Sequence, residues 1–64
     1  NSVRKLRFNN NEMTQQELAD LVGVTRQTVV AIEKYKYTPS LELAFKISIV
    51  FNKEIQEVFY IAQQ

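Results

Sequence analysis

The sequence of 64 residues contains neither cysteine nor histidine. Disulfide bonds and the usual soft metal sites are therefore excluded, and the side chain that most often serves in general acid–base catalysis is missing. The sequence also has no glycine-rich loop of the kind that cradles phosphate groups. We therefore expect no metal, no cofactor and no enzymatic activity. A single domain of this size must be stabilised by packed apolar side chains, to which oligomerisation can contribute.

The sequence also lacks a long hydrophobic run and a large excess of charge of one sign. No apolar run approaches the roughly 18 residues that a membrane-spanning helix needs, and no signal-peptide pattern is present. We therefore expect a cytoplasmic protein that does not bind a membrane. The net charge is only +1, from 8 basic and 7 acidic residues. Because such a balance is typical of an ordinary solvated surface, a nucleic-acid partner has to be inferred from geometry rather than from composition.

Glycine and proline, the residues that most often interrupt helices, occur only once each. Apolar residues recur at helical spacing, and together these features predict an all-α domain of five helices. The predicted helices cover about residues 2–8, 15–22, 26–34, 41–51 and 55–60. Residues 61–64 fit either a frayed end or a short C-terminal edge strand, and both alternatives stay open.

The second and third predicted helices, residues 15–34, have the pattern of a helix-turn-helix. Thr14 is followed three positions later by Glu17, which matches the capping box at the start of a helix. Gly23 is expected to close that helix, because glycine adopts a positive φ without a steric penalty. Thr25 then follows as the N-cap of the next helix. The apolar residues at helical spacing, expected to form the inner face, are Leu18, Ala19, Leu21, Val22, Val29 and Ile32.

The outer face of the predicted third helix carries residues that suit the DNA major groove. Arg26 can make a bidentate contact with guanine, and Gln27 can do the same with adenine. The predicted base contacts are Arg26, Gln27, Thr28, Val30 and Ala31. Alternatives stay open, since Gln27 can be an ordinary solvated residue and Arg26 can pair with an acid of the second helix. A helical hairpin with a glycine turn also occurs in bundles that do not bind DNA, but the Arg-Gln-Thr triplet behind a capping threonine disfavours that interpretation.

Polar residues at the helix N-termini and beyond the third helix suit the DNA backbone. Backbone amides and side chains at a helix N-terminus bind phosphate, and basic residues beyond a recognition helix can reach the flanking backbone. The predicted phosphate contacts are Thr14, Gln15, Thr25, Lys34 and Lys36. Double-stranded DNA is therefore the predicted partner.

The segments MTQQELADLVGVTRQTVVAIEK and YTPSLELAFKI, together with the ending NKEIQEVF, resemble the Xre family of helix-turn-helix regulators, the Cro and phage-repressor type. The resemblance covers nearly the whole chain and is greatest to short members with a single domain. It implies a five-helix bundle that binds palindromic operators as a homodimer. It also implies a phosphate contact from Gln15 and a position near the DNA backbone for Lys34 and Lys36. The base contacts that it implies are Arg26, Gln27, Thr28 and Ala31.

Three features depart from the family pattern. Tyr35 stands where the family usually has glycine after the third helix, and a left-handed conformation costs tyrosine about 1 kcal/mol or more. We therefore expect a reshaped loop, which weakens the assignment of Lys36. The connection from Leu6 to Thr14 is about one residue longer than usual, and Glu54 replaces the common serine or threonine cap of the last helix.

The predicted fourth helix is apolar on two faces. One stripe, formed by Leu43, Ala44, Ile47 and Val50, is sufficient to cover the core. A second stripe, formed by Leu41, Phe45 and Ile49, lies on a different face. A helix that is apolar nearly all round is buried on both sides. The fifth helix, through Ile55, Val58 and Phe59, can cover this second stripe internally; alternatively, the stripe belongs to a two-fold interface. The residues of that predicted dimer interface are Leu41, Phe45, Ile49, Phe59 and Ile61.

The expected DNA-binding function favours the two-fold interface over coverage of the stripe by the fifth helix, because one small helix-turn-helix makes too few contacts to bind a DNA site with specific affinity. A symmetric pair of domains would read two half-sites about 34 Å apart. We therefore predict a sequence-specific transcriptional regulator, and a repressor because these 64 residues contain no activation or effector domain. A protein-interaction module, such as an antitoxin-like protein that binds its partner through the second stripe, is the other hypothesis.

Overall fold

Five α-helices make up most of residues 1–61, the part of the chain that this computed structural model describes. The helices are Val3–Asn9 (α1), Gln15–Val22 (α2), Arg26–Glu33 (α3), Leu41–Phe51 (α4) and Ile55–Val58 (α5). The predicted all-α architecture is confirmed. The last helix ends earlier than predicted, because the backbone of Phe59 is extended, with φ −121° and ψ 124°. Residues 1–61 contain no strand, and the rest of the predicted tail, residues 62–64, lies outside the described residues.

Hydrogen bonds at both ends fix the boundaries of α2. The N–H of Thr14 donates to the Glu17 carboxylate at 2.8 Å, and the N–H of Glu17 donates to the Thr14 hydroxyl at 3.0 Å. The predicted capping box is therefore present. At the other end, Gly23 has φ +77°, and its N–H donates to the Ala19 carbonyl at 2.9 Å. The chain reverses there, and α3 begins directly after its N-cap residue, Thr25.

Side chains from all five helices form the core. Its buried members are Val3, Leu18, Ala19, Val22, Val29, Ile32, Leu43, Ile47, Phe51 and Val58. The predicted inner face of the two motif helices is confirmed except at Leu21, whose side chain is 61% exposed. With about 100° between successive residues, Leu21 lies roughly 100° from the centre of the buried stripe of α2. Leu21 therefore lies at the edge of the buried face of α2, and its side chain stays in solvent because only one side of the helix packs against the core.

Tyr35 adopts the left-handed conformation that the family pattern assigns to glycine, with φ +61°. Its N–H donates to the Ile32 carbonyl at 3.1 Å, and the N–H of Lys36 donates to the Ala31 carbonyl at 2.9 Å. These two bonds form a Schellman motif, which satisfies carbonyl groups at the end of α3. The expected reshaping of this loop is therefore wrong, since the turn is kept and the tyrosine is strained.

The other two departures from the family pattern lie in the α1–α2 connection and at the start of α5. The longer connection after α1 contains Asn11 and Glu12, with φ values of +60° and +54°. At the start of α5, the N–H of Glu54 donates to the Glu57 carboxylate at 2.9 Å, so this half of a capping box forms without a serine or threonine. Within residues 1–61, no helix has the length and apolar composition needed to cross a membrane.

Candidate nucleic-acid interface

The first turn of α3 presents the polar side chains that were predicted to contact DNA bases. Thr25 caps the helix, and its hydroxyl accepts the N–H of Thr28 at 3.2 Å. Arg26 and Gln27 follow directly and are exposed, whereas Val29 is only 1% exposed and fixes the opposite face in the core. A helix that is anchored on one face and polar at its exposed N-terminal turn has the geometry of a recognition helix for the major groove.

The side chain of Arg26 has no acidic partner in the described part of the chain. The salt bridges within residues 1–61 join Arg7 to Glu33 and Lys46 to Glu42, and Arg26 takes part in neither. The alternative in which Arg26 pairs with an acid of α2 is therefore wrong. Its guanidinium group, with several donors in a fixed plane, is available to an external acceptor.

The other predicted base contacts on α3 are more enclosed. Thr28, Val30 and Ala31 are half-buried. The hydroxyl of Thr28 lies 3.1 Å from that of Thr25, so the two groups share a hydrogen bond. Thr28 therefore offers a methyl group and the remaining hydrogen-bonding capacity of its hydroxyl. Val30 offers apolar surface of the kind that contacts a thymine methyl.

A groove of about 720 Å³ runs between α1, the start of α2 and the outer face of α3. We name it the α1–α3 groove. The predicted contacts that it brings together are Thr14, Gln15, Arg26, Val30 and Lys34. The predicted contacts that do not line it are Thr25, Gln27, Thr28, Ala31 and Lys36. The candidate interface therefore has two parts, the groove itself and the exposed first turn of α3 with the loop that follows the helix.

The side chains at the start of α2 are largely occupied within the domain. The Thr14 hydroxyl accepts the cap hydrogen bond, and Nε2 of Gln15 donates to Oε1 of Glu33 at 3.1 Å. The backbone N–H groups of Gln15 and Gln16 have no acceptor among the described residues, because the first N–H groups of a helix lack an intrahelical partner. Main-chain N–H groups are therefore better placed to bind a phosphate here than the side chains predicted from the sequence.

An ion pair that sequence reasoning missed lines the same groove. Nε of Arg7 lies 2.7 Å from Oε2 of Glu33, and Nη2 lies 3.1 Å from Oε1. Nη1 of the same arginine donates to the Met13 carbonyl at 2.7 Å. The pair joins α1 to the end of α3 and neutralises Glu33, the only acidic residue of α3. No local pattern links residues 26 positions apart, so helical periodicity could not have found it.

Comparison with known proteins assigns this arrangement to a family. A model of the helix-turn-helix family matches residues 3–58. The chain belongs to the Xre family of helix-turn-helix transcriptional regulators. The resemblance seen in the sequence is therefore confirmed, and membership makes the chain a DNA-binding regulatory domain rather than an enzyme.

Relatives from archaea and bacteria are similar to this Xre-family domain. An HTH-type transcriptional regulator of Archaeoglobus fulgidus is 60% identical over 47 residues, which cover 73% of the chain and 66% of the relative, just under two thirds. A regulator of Methanocaldococcus jannaschii is 53% identical over 49 residues, covering 77% of the chain and 74% of the relative. The regulator YgzD of Bacillus subtilis is 45% identical over 64 residues, covering 100% of the chain and 96% of the relative.

The second apolar stripe of α4 lies in solvent in this Xre-family domain. Leu41 is 68% exposed, Phe45 48% and Ile49 76%. The alternative in which α5 covers the stripe is therefore wrong: α5 instead buries Val58 completely in the core. Among the other predicted interface residues, Ile61 is 90% exposed, whereas Phe59 is half-buried and packs against the core.

Proposed function

We propose that this Xre-family domain binds a palindromic operator as a homodimer, with α3 in the major groove, and that it acts as a repressor. The exposed pair Arg26 and Gln27, on the first turn of a helix whose opposite face is fixed in the core, carries the proposal. Their side chains have the bidentate donors and acceptors that recognise guanine and adenine. Because Arg26 is in no salt bridge within residues 1–61, no ion pair has to be broken before its guanidinium binds a base.

Contacts with the DNA backbone would fix the register of α3. The free N–H groups at the start of α2 support one phosphate contact, because the residues that carry them, Gln15 and Gln16, line the same groove as Arg26. Lys34, at the other end of α3, lines this groove as well and supports a second. Lys36 and Thr25 are exposed outside the groove, and we assign them to the backbone on either side of the base contacts. Such contacts position the protein without reading sequence.

The homodimer rests on the exposed stripe formed by Leu41, Phe45 and Ile49. Large apolar side chains that are 48–76% exposed and lie on one helix face are favourable to cover. A second copy of the chain offers the same face, so a two-fold contact between the α4 helices covers both stripes at once. We also assign to this contact Ile61, which is 90% exposed, and Phe59, which is half-buried.

Repression requires only that the proposed operator overlap a promoter. A dimer seated on an operator that overlaps a promoter blocks the transcription machinery without any further contact. In a cell without a nucleus the DNA lies in the cytoplasm, which is where we place this activity. Transcription from a promoter that carries the operator, measured in vitro with increasing protein, should fall; a rise would instead identify an activator.

Selection of DNA sites from a random pool tests the proposal most directly. The expected result is a pseudo-palindrome of two short half-sites whose centres lie about 34 Å apart, one turn of DNA. A single unpaired half-site would retain DNA binding but contradict the homodimer. A pool without any enrichment at low salt, where binding to the DNA backbone is strongest, would contradict the whole proposal.

The exposed stripe also supports a second candidate, an antitoxin-like module that binds a different protein through Leu41, Phe45 and Ile49. The two candidate functions predict different oligomeric states for the purified protein. A dimer in solution supports the homodimeric regulator. A stable monomer at all concentrations supports a partner protein of another kind, which could still act together with DNA binding.

A further inference from the structure

We propose that Arg4 on α1 binds a DNA phosphate and so adds α1 to the DNA-binding surface. The proposal rests on the proposed DNA-binding function. It concerns a residue outside the helix-turn-helix and outside the contacts predicted from the sequence. It would make the interface three helices wide, with α1 flanking the recognition helix.

Arg4 is exposed and lines the α1–α3 groove. The opposite side of this groove includes Arg26, Val30 and Lys34, which are spaced four residues apart and so form one row along α3. When the bases of a DNA strand contact Arg26, at the start of this row, the sugar-phosphate backbone of that strand lies beside the groove. Arg4 is then within the same binding surface as the residues that we assign to bases and phosphates.

The charges in the groove favour a phosphate. The charged residues that line it are Arg4, Arg7, Glu12, Arg26, Glu33 and Lys34. Arg7 and Glu33 neutralise each other through their ion pair. Three cations then remain against the single carboxylate of Glu12, and within residues 1–61 none of the three forms a salt bridge. The groove therefore carries a net charge of 3 − 1 = +2, whereas the whole chain carries only +1.

The chemistry of the side chain also suits this ligand. Arginine presents a planar fork of donors that matches two oxygens of one phosphate, and its hydrogen bonds to an anion are charge-assisted. Phe8, one turn further along α1, is 66% exposed and lines the same groove. Apolar surface beside the cation lowers the local dielectric constant when DNA covers it, which strengthens the attraction to phosphate.

Lys5 provides a matched control for the test. It lies next to Arg4 on α1, carries the same charge and is exposed, but it does not line the α1–α3 groove. Binding of the wild-type domain, Arg4→Ala and Lys5→Ala is measured on the selected operator and on an unrelated duplex of equal length, over a range of salt concentrations. We expect Arg4→Ala to weaken binding to both duplexes about tenfold. It should also reduce the salt slope by about 0.9, the loss of one phosphate contact, while Lys5→Ala leaves the slope near that of the wild type.

Ethylation of single phosphates locates the contact. One phosphate in each half-site should weaken wild-type binding when ethylated and should no longer matter for Arg4→Ala. Arg4→Lys should recover most of the salt slope, and the urea midpoint of each variant shows whether the domain is still folded. Equal salt slopes for Arg4→Ala and Lys5→Ala would overturn this inference alone. A wild-type domain that binds neither duplex would instead overturn the proposed function.

Discussion

The guanidinium group of Arg7 donates two hydrogen bonds, of 2.7 and 3.1 Å, to the carboxylate of Glu33 and so links α1 to α3. The two side chains are only 14% and 7% exposed, so the pair is largely shielded from water. The pair stabilises the domain only as a pair, since the removal of either side chain would leave the charge of the other poorly solvated. Gln15 donates to the same carboxylate, so Glu33 also links α3 to the start of α2.

Replacement of Glu33 by glutamine should therefore lower the free energy of unfolding by about 2 kcal/mol, because it leaves the shielded Arg7 without its counter-charge but keeps an amide oxygen that can accept one of its hydrogen bonds. Urea denaturation monitored by circular dichroism measures the change. Glu42→Gln is the control, since Glu42 pairs with Lys46 on the surface of α4, where the side chains are 78% and 53% exposed. It should cost less than about 0.5 kcal/mol. Equal losses in the two variants would show that the Arg7–Glu33 pair contributes no more than a surface pair.

Sequence reasoning succeeded where the deciding interaction is local. Thr14 and Glu17 cap each other across three residues, and Gly23 closes α2 through a bond to Ala19, so both ends of that helix follow from short-range chemistry. The same local patterns located α3 and its exposed first turn. These features predicted the helix-turn-helix, whereas the base contacts assigned to its outer face stay a prediction.

The part that α1 plays in the candidate interface could not be predicted from local patterns. Arg7 reaches Glu33, and Arg4 reaches the α1–α3 groove, only because the whole core sets the position of α1 against α3. Leu21 shows the related limit of helical spacing, which places a residue near a face but does not say how wide the buried stripe is. At Tyr35, the rule that tyrosine avoids a positive φ was outweighed by the two hydrogen bonds that end α3.

Tyr35→Gly should stabilise the domain by about 1 kcal/mol, because glycine accepts φ +61° without the steric cost that a Cβ imposes. The ring is 74% exposed, so little burial is lost. Tyr35→Ala separates the two effects, since it removes the ring but keeps the Cβ. Thermal and urea unfolding of both variants measure the change. A gain in Tyr35→Ala as large as that in Tyr35→Gly would mean that the ring, rather than the backbone conformation, is the source of strain.

Phe45→Glu should convert the proposed dimer to a monomer, because it places a charge in the centre of the exposed stripe of α4. Sedimentation velocity measures the oligomeric state, and binding to a full palindrome should weaken while binding to a single half-site is unchanged. Leu21→Glu is the matched control, since Leu21 is equally apolar and 61% exposed but lies on α2. If Leu21→Glu also dissociates the dimer, or if Phe45→Glu remains dimeric, the interface lies elsewhere.

Arg26 and Lys34 should differ in how their loss affects DNA binding, although both are cations of the same groove. Arg26→Ala should cost about 1–3 kcal/mol on the selected operator and much less on operators altered at the base pair that it reads, because a base contact is specific to one pair. Lys34→Ala should instead weaken all duplexes to a similar degree and lower the salt slope by about 0.9.

Titration of each variant against the operator and against each single-base-pair variant of it measures both effects. A position at which the wild type discriminates between base pairs and Arg26→Ala does not identifies the base that Arg26 reads. Unchanged sequence preference in Arg26→Ala would show that this arginine serves the backbone. The reading of sequence would then rest on Gln27 and the half-buried residues Thr28, Val30 and Ala31.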